Sequence, residues 1–405
     1  MEAVGVVAEY NPFHRGHAWQ LEHLRELLPG VAVICAMSGN FVQRGEAAIV
    51  EKHLRAEAAV RGGADLVLEL PLPWAISSAE GFARGGVEVL DATGVVGTLA
   101  FGSECADTEA LCRVADCLGS EAYRAALREL LPGGATFAAC REAAVRSLLG
   151  AEDAALLEGP NNNLGVEYCK AIAALGSGMR PLALPRTGVG HDGKSAGGIA
   201  SASHIRALLQ SLGSAEAFLT ADMARLYAVE TAAARAPVQT QTLERAMLAR
   251  FRCMEEADFA AFDPGEEGLY RRFFAASREA TSLAELLDAV KTKRYAHARL
   301  RRMALAAFLN VPAALPETVP YLHVLAMNGR GRALLHEMKH TARLPVITKS
   351  AAARTLPETA RRVFETEARG TDLYTLAWPV PGRGGMEWRT GPVLVEEEKD
   401  EKNNA

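Results

Sequence analysis

The sequence predicts an α/β fold, in which a domain built on a parallel sheet is followed by a mainly α-helical domain. Short apolar runs rich in β-branched residues alternate with helical stretches over the first 210 residues, and strand signals fade after about residue 215. Polar or glycine-bearing segments follow nearly every apolar run. Such runs are typical of parallel strands covered on both faces. Ligands of these sheets bind beyond the carboxyl ends of the strands, so we expect function in the polar segments.

The apolar runs predict five strands in the first part of the chain, at residues 3–8, 31–37, 65–71, 95–101 and 180–186. Helices are predicted between them. Residues 21–28 carry leucines at helical spacing, and a second helix is predicted within residues 53–64, where glycines mark its end. A further helix follows Ser78. A mostly helical segment runs to about residue 175. Residues 201–212 form the last helix of this part, with a serine available as its N-cap.

The second part of the chain is predicted to be helical, and residues 281–309 are the clearest case. Ala296, Leu300, Met303 and Ala307 form an apolar stripe at helical spacing, with basic residues outside it. A length of 405 residues favours two or three domains. We therefore predict domains at 1–215 and 216–395, followed by a charged, disordered tail at 396–405.

Composition excludes several classes of protein. The formal net charge is −5, so any nucleic-acid surface must be a local patch. No run approaches the roughly 18 apolar residues of a membrane span, and no basic segment or cleavage site marks a secretion signal. Seven cysteines are scattered without a CxxC pair. This pattern argues against a disulfide framework or a zinc site and favours reduced thiols in the cytoplasm.

The segment NPFHRGH, residues 11–17, lies between the first strand and the first helix. A helix N-terminus offers unpaired amides to a phosphate, and Gly16 lets a ligand approach the backbone. His14 and His17 can donate hydrogen bonds to phosphate oxygens, which suits nucleotidyl transfer because that chemistry needs charge stabilisation. Two other interpretations remain: half of a metal site, or surface histidines without a role. No P-loop is present, so a nucleotide must be held in another way.

The HxGH pattern resembles the HIGH-type nucleotidyltransferase superfamily, whose members attack the α-phosphate of ATP and release pyrophosphate. Over nearly its whole length the sequence resembles the bacterial tRNA(Met) cytidine acetate ligases. The segments that carry this resemblance are GVVAEYNPFHRGH, MSGNFVQRGE, ADLVLELP, FGSE, PNNNLGVEY and VKTKRYAHARLRR. The resemblance implies a Rossmann-like catalytic domain that activates acetate as acetyl-adenylate. The acetyl group then passes to N4 of the wobble cytidine of elongator tRNA(Met).

The resemblance also implies the site residues. His14 and His17 would be catalytic. The implied ATP contacts are Val7, Ala8, Glu9, Tyr10, Asn11, Pro12, Phe13, His14, Arg15, Gly16, His17, Gly102, Asn161, Asn162, Arg186 and Ser203. The expected partners are ATP, acetate and elongator tRNA(Met), with no DNA and no membrane. Magnesium is expected to arrive with ATP, and no dedicated metal site of the protein is predicted.

The sequence departs from the family pattern at three positions. Arg15 stands where Asn is frequent, Ala47 where Pro is frequent, and Asn163 where an aliphatic residue is frequent. None of these departures removes a histidine or the glycine of the HxGH pattern. Arg15 could change how the phosphates are bound and so affect turnover.

Taken without the resemblance, the other polar segments leave alternatives open. Gly102 could admit a nucleotide or end a strand, and the asparagines of GPNNNLG could bind a nucleotide or cap a helix. Arg186 could clamp a triphosphate or lie free at the surface. Two loops, 38–46 and 187–200, could close over the substrates or be structural. The resemblance, in contrast, extends to Ser201, Ser203 and Arg206, which are similar to the second phosphate-facing motif of the superfamily.

A basic stretch at residues 291–302 is the candidate RNA surface. It contains no acidic residue, and its basic members are Lys291, Lys293, Arg294, Arg299, Arg301 and Arg302. Such a helix face suits a phosphate backbone, although an ordinary solvated face gives the same pattern. Three functions stay open: an RNA-acetylating ligase, a small-molecule adenylyltransferase, and a non-catalytic RNA-binding protein with a relict nucleotide fold. The second leaves the basic helical half unexplained.

Overall fold

The computed structural model describes residues 2–133, 135–186, 198–263, 265, 268–293 and 295–396. Among these residues the central sheet has eight strands. Its strands are β1 (Ala3–Ala8), β2 (Ala32–Ser38), β5 (Leu66–Leu70), β6 (Val96–Ser103), β7 (Arg180–Pro185), β8 (Leu322–Met327), β9 (Val346–Ile347) and β10 (Val393–Leu394). A separate hairpin consists of β3 (Phe41–Val42) and β4 (Glu46–Ala47). The α/β fold class is confirmed.

The strand order across the sheet is β10-β8-β5-β2-β1-β6-β7, with β9 beside β8. The five strands predicted from the sequence, β1, β2, β5, β6 and β7, are all present and mutually parallel. Along β2, Ile34 packs into a core on one face of the sheet and Val33 into a core on the other. The carboxyl ends of the five strands therefore share one edge, with β1 at the centre.

Helices cover both faces of the sheet and form a further layer beside it. In the first part of the chain they are α1 (Arg15–Leu27), α2 (Lys52–Arg61), α3 (Leu72–Ala75), α4 (Ala79–Asp91), α5 (Thr108–Gly119), α6 (Glu121–Leu130), α7 (Phe137–Leu149), α8 (Ala151–Ala155), α9 (Pro160–Ala174) and α10 (Ala202–Leu212). Further along they are α11 (Ala221–Ala232), α12 (Glu244–Arg252), α13 (Glu256–Phe259), α14 (Leu269–Glu279), α15 (Leu283–Val290), α16 (His297–Leu309), α17 (Gly329–Thr341) and α18 (Glu358–Thr375).

The predicted N-cap of α10 is confirmed, because the Ser201 side chain accepts a hydrogen bond from the His204 backbone at 3.2 Å. Five short 3-10 turns complete the secondary structure at Leu131–Gly133, Leu156–Glu158, Thr240–Leu243, Ala260–Phe262 and Ser350–Thr355. Among the described residues no helix is long and apolar enough to cross a membrane. All seven cysteines are free thiols, as predicted.

The C-terminal part of the chain completes the sheet, which the sequence did not predict. β8 is fully buried and lies antiparallel to β5, and β10 joins β8 at the sheet edge. A short apolar run within an Ala- and Leu-rich sequence cannot be told from a buried helix by its periodicity, which is why β8 was missed. The division at residue 215 remains a prediction, and the sheet crosses it.

The continuous helix predicted at 281–309 is wrong. Two helices, α15 and α16, stand there, and the described residues between them, 291–293, 295 and 296, are not helical. Ala296 is the N-cap of α16 and is exposed, so it does not belong to the predicted stripe. Leu300, Met303 and Ala307 are buried as predicted. Arg294 and residues 397–405, which include most of the predicted tail, lie outside the described residues.

The β3–β4 hairpin is packed against the start of α16. Gly45, in the turn of the hairpin, has a φ of 77°, which a side chain rarely allows. A Cβ atom at this position would lie 2.7 Å from the backbone of Arg301 and Arg302. The hairpin therefore connects the carboxyl edge of the sheet to the helix that carries most of the described basic residues of 291–302.

Candidate active site at the carboxyl edge of the sheet

A cavity of about 360 Å³ lies at the carboxyl ends of β1, β6 and β7, where the parallel sheet predicts a ligand. Residues from the turn after β1, from α1, from the hairpin and from α9 and α10 form its wall. Of the sixteen implied ATP contacts, eleven line the cavity: Val7, Ala8, Glu9, Tyr10, Asn11, His14, Gly16, His17, Gly102, Asn161 and Arg186.

His14 and His17 are held by the N-terminus of α1. His14 is the N-cap, and its Nδ1 accepts the Gly16 N–H at 3.1 Å. His17 Nδ1 accepts the His14 N–H at 3.3 Å. A neutral imidazole that accepts at Nδ1 carries its proton on Nε2. Both rings therefore keep an Nε2–H donor for a ligand, while their other nitrogens satisfy backbone amides of the helix start.

The two imidazoles stack with their ring centroids 3.6 Å apart and an interplanar angle of 25°. Burial, with the charges of Arg186 and Arg206 as lesser causes, lowers the pKa of His14 to about 4. Burial, followed by His14 and Arg186, places the pKa of His17 well below its usual value. Both rings are thus neutral at neutral pH, and two neutral rings can stack closely without charge repulsion.

Gly16 is explained by the position of the His14 ring. A Cβ atom at Gly16 would lie 3.0 Å from that ring and 3.1 Å from Ile199. The glycine therefore lets the N-cap histidine fold back over the first turn of α1. This is a structural reason for the glycine, in addition to the access that a ligand gains to the backbone.

Asn161 and Arg186 form a linked pair on the β6–β7 side of the cavity. Arg186 Nη1 donates to Asn161 Oδ1 at 2.6 Å. Glu104 accepts the backbone N–H groups of Asn161 and Asn162 at 3.1 and 2.6 Å, and so caps α9. Burial raises the pKa of Glu104, but the hydrogen bonds from Asn161 and Asn162 outweigh it and hold that pKa below its usual value. The start of α9 is thus occupied by a carboxylate of the protein.

Gly102 lies beside this pair at the end of β6. A Cβ atom there would be 3.2 Å from Arg186 Cγ. The glycine therefore leaves room for the arginine stem to cross the end of the strand. The choice between the two asparagines also becomes clear from the geometry: Asn161 lines the cavity, whereas Asn162 is buried and accepts from the Ser103 hydroxyl at 2.7 Å and from the backbone of Glu104 and Cys105.

Five residues of the implied ATP set do not line the cavity: Pro12, Phe13, Arg15, Asn162 and Ser203. Phe13 is fully buried in the core. Arg15 Nε donates to the Leu219 carbonyl at 3.1 Å, so its side chain is turned toward the loop after α10. Ser203 is exposed and accepts a hydrogen bond from Arg206 at 3.4 Å. Most of the 187–200 loop, residues 187–197, lies outside the described residues.

The cavity also has an apolar wall that the sequence did not predict. Phe82 comes from α4, Leu164 and Tyr168 come from α9, and Phe101 precedes Gly102 in β6. These residues follow the ordinary core pattern of their elements, so nothing in the sequence distinguishes them. Arg206, which the sequence marked only as a secondary candidate, lines the cavity and donates from Nη1 to the Asn11 carbonyl at 2.9 Å.

The basic residues of 291–302 do not share one exposed helix face. Lys293 is exposed, while Lys291 donates to the Thr292 carbonyl at 2.6 Å. Arg299 pairs with Asp263 at 3.4 Å. Burial lowers the pKa of the half-buried Arg302. This arrangement differs from the predicted continuous surface because α15 ends at Val290 and α16 begins at His297.

Arg301 connects the start of α16 to the rim of the cavity. Its Nη1 donates to Glu46 at 2.8 Å, and the same carboxylate lies 3.9 Å from Arg206 Nη2. In the 38–46 loop, which the sequence predicts as a possible lid, Gln43 and Arg44 line the cavity, whereas Asn40 is buried and accepts the Lys52 N–H. The loop therefore joins the two predicted functional regions.

A cluster of buried charges lies outside the cavity lining. Among the described residues, Glu69, His323 and Glu387 are one group whose side-chain atoms come close enough to hold a metal ion. The Lys52 ammonium lies 2.6 Å from Glu69 and 2.7 Å from Glu387, and His323 Nδ1 lies 2.7 Å from Glu69. The carboxylates thus already bind a cation of the protein, and the group joins α2 to β5, β8 and the C-terminal segment.

Comparison with known proteins places the chain in a family. Residues 1–383 match the HIGH Nucleotidyl Transferase family. A tRNA(Met) cytidine acetate ligase of Caldanaerobacter subterraneus subsp. tengcongensis is 37% identical over 387 residues, which cover 93% of this chain and 96% of that protein. The corresponding protein of Thermotoga petrophila is 35% identical, with 96% of this chain and 100% of its own chain covered.

Two solved structures of Thermotoga maritima TmcAL have the same fold. One, bound with alpha-thio ATP, superposes with a TM-score of 0.91 at 33% identity and covers 98% of this chain and 100% of its own. The other, without ligand, has a TM-score of 0.93 with the same identity and coverage. The match extends through both the HxGH turn and the C-terminal strands, and the chain belongs to the tRNA(Met) cytidine acetate ligase family of the HIGH nucleotidyl transferases.

Proposed function

We propose that this protein is an ATP-dependent tRNA acetate ligase. It activates acetate as acetyl-adenylate and transfers the acetyl group to N4 of the wobble cytidine of elongator tRNA(Met). The observation that carries the proposal is the cavity in which the neutral His14–His17 pair, Arg186 and Arg206 meet at the carboxyl edge of the sheet. Membership of the ligase family supports the choice of substrates.

In the first step an acetate oxygen attacks the α-phosphorus of ATP, and the bond to the pyrophosphate oxygen breaks. The Nε2–H groups of His14 and His17 donate to the phosphate oxygens on which charge accumulates. Arg186, fixed by its bond to Asn161, adds positive charge from the β6–β7 side. Donors that are already oriented stabilise such charge without reorganisation. ATP is expected to bring magnesium as part of the substrate, coordinated largely by its phosphate oxygens.

The implied contacts that do not line the cavity take a different role in this proposal. Phe13 and Asn162 support the turn after β1 and the end of β6 from behind. Arg15 lies close to Gly198, and Ser203 follows at the start of α10; both remain proposed ATP contacts. We further propose that residues 1–215 supply the chemistry of adenylation.

The tRNA is proposed to bind at the basic residues of 291–302, within the predicted domain 216–395. Phosphate contacts position an RNA without reading its sequence. Arg301 and Arg302 lie against the turn of the hairpin whose Gln43 and Arg44 line the cavity, and Lys293 is exposed. A tRNA held there would have a short path to the acetyl-adenylate.

The test is incubation of the protein with ATP, labelled acetate and an unmodified tRNA pool. Label in tRNA that depends on ATP supports the proposal. A free dinucleotide-type product would instead indicate a small-molecule adenylyltransferase, and the absence of both products would indicate a non-catalytic RNA-binding protein. Elongator tRNA(Met) with uridine at the wobble position is the matched control, and it should remain unlabelled because it lacks the accepting amino group.

A further inference from the structure

We propose that the Glu9 carboxylate is the general base of the second step, which takes a proton from N4 of the cytidine as that nitrogen attacks the acetyl-adenylate. This inference rests on the proposed function and adds a residue role to it. The resemblance implied Glu9 only as one member of the ATP-binding segment. The structure gives it a position and a free oxygen that suit proton transfer.

Glu9 follows β1, the central strand of the parallel series, and it is the one acidic residue among the described residues that line the cavity. One oxygen, Oε1, accepts the Gln43 N–H at 2.7 Å. Among the described residues the second oxygen has no hydrogen-bond partner, and the Glu9 side chain is half-buried in the cavity wall. The carboxylate is therefore fixed by one oxygen and offers the other to a molecule in the cavity.

Its location separates Glu9 from the nucleotide-facing residues. Gly102, Asn161 and Arg186 all come from the β6–β7 side, whereas Glu9 is bound to the β3–β4 hairpin on the β2 side. The start of α16 packs against that same hairpin and is joined to it by the Arg301–Glu46 pair. A nucleotide of an RNA bound along α16 would therefore enter past the hairpin and meet Glu9.

The reaction requires a base at this point. The N4 nitrogen forms a bond to the acetyl carbon, the bond from that carbon to the phosphate oxygen breaks, and AMP leaves with the electron pair. The nitrogen must lose one proton, which Glu9 accepts and later returns to solvent. No oxidant, metal or further reactant enters the balance. General bases positioned in this way contribute roughly 100- to 10,000-fold to a rate.

The other titratable groups that line the cavity are unsuited to this task. His14 and His17 use Nδ1 to bind backbone amides, and burial lowers the pKa of both rings. Burial raises the pKa of Tyr10 and of Tyr168, so both hydroxyls stay protonated. The arginines of the wall are cations. Among the described residues that line the cavity, Glu9 is the remaining group that can accept a proton.

The surroundings of Glu9 make its carboxylate more basic than usual. Burial raises the pKa of Glu9, and the Gln43 N–H together with the charges of Arg206, Arg44 and Arg55 limits the rise. Tyr168 from α9 faces the same carboxylate as a neutral group. Because a base acts best when its pKa approaches the working pH, this upward shift favours proton acceptance.

The substitution Glu9→Gln tests the proposal, because a glutamine keeps an oxygen that can accept the Gln43 N–H and loses only the basic site. Two half-reactions are measured separately. Acetate-dependent exchange of labelled pyrophosphate into ATP reports adenylate formation. A single-turnover chase of enzyme-bound acetyl-adenylate with elongator tRNA(Met) reports transfer. We expect transfer to fall by about 100- to 10,000-fold and to fall further than exchange does.

The control is Glu22→Gln, the same change at an exposed carboxylate of α1, which should leave both half-reactions unchanged. Transfer by Glu9→Gln within threefold of wild type overturns the inference, and so does an equal loss of exchange and transfer, which would assign Glu9 to ATP binding. The transfer rate of wild type should rise with pH through the pKa of Glu9, and Glu9→Gln should lose that dependence; a dependence that survives in Glu9→Gln overturns the inference. If wild-type protein shows neither half-reaction, the proposed function fails instead.

Discussion

The two roles of His14 can be separated by a pair of substitutions. The ring caps α1 through Nδ1 and faces the cavity as an Nε2–H donor. His14→Asn keeps a side-chain oxygen at the N-cap, where asparagine is among the most favourable residues, but it removes the donor. His14→Ala removes both the cap and the donor. The two variants should therefore lose similar activity and differ in stability.

The magnitudes follow from these two contacts. Loss of one preorganised donor to a developing oxyanion costs about 100- to 1,000-fold in rate, or about 3 to 4 kcal/mol of transition-state stabilisation. Loss of an N-cap costs about 1 kcal/mol of protein stability. His14→Asn should thus unfold within a few tenths of a kcal/mol of wild type at neutral pH, and His14→Ala should unfold about 1 kcal/mol more easily.

The assays are acetate-dependent pyrophosphate exchange for activity and urea unfolding at pH 7.5 for stability. His17→Ala, measured in the same way, should lose exchange to a similar degree, because its Nε2–H is the second donor. Near-normal exchange by folded His14→Asn would refute the role of the donor. Equal stability of the asparagine and alanine variants would refute the role of the cap.

Three further predictions concern the charges of the protein. Lys52→Met leaves Glu69 and Glu387 buried without their cation, so we expect a loss of about 3 to 5 kcal/mol in the free energy of unfolding, measured with urea. A variant as stable as wild type would contradict the ionic role of Lys52. Because burial lowers the pKa of His14 to about 4, the unfolded chain takes up its proton first as the pH falls below 6.5. The free energy of unfolding should therefore decrease on acidification, by about 2 kcal/mol from this group at pH 5, and His14→Asn should show a shallower decrease. Neutralising Lys293, Arg294, Arg301 and Arg302 together should weaken binding of all tRNAs, while pyrophosphate exchange is retained. The slope of the logarithm of the binding constant against the logarithm of salt concentration should decrease by about 0.7 to 0.9 log unit for each phosphate that the protein no longer neutralises. Unchanged affinity between low and moderate salt would remove these residues from the RNA surface.

Much of the first part of the fold could be predicted from local patterns. The run AVGVVA is short and rich in valine, and a polar turn with proline follows it, which favours a strand over a buried helix; β1 occupies the predicted residues 3–8. The HxGH turn could be predicted to face a ligand because it follows such a strand and opens a helix. The strand at 322–327 could not, since only its pairing with β5 distinguishes it from a buried helix.

The basic stretch at residues 291–302 is a second case in which local patterns did not predict the structure. Its residues read as one continuous helix, because Lys, Arg and Ala are all good helix formers. The chain instead leaves the helix after Val290 and re-enters it at His297, so that the start of α16 packs against the hairpin. Local propensity was overridden by tertiary packing, which no spacing of charges reveals.

By itself, then, the sequence determined the parallel sheet, the ligand-facing edge, the His14–His17 pair and the resemblance to the ligase family, since these depend on short patterns and local spacing. Only the tertiary structure decided which of the implied residues meet in one cavity. It turned Asn161 inward and Asn162 into the core, paired Arg301 with Glu46, and bound Glu9 Oε1 to the Gln43 N–H in the cavity wall. These outcomes depend on contacts between residues far apart in the chain, whose directions are fixed only when the sheet and its helices pack together.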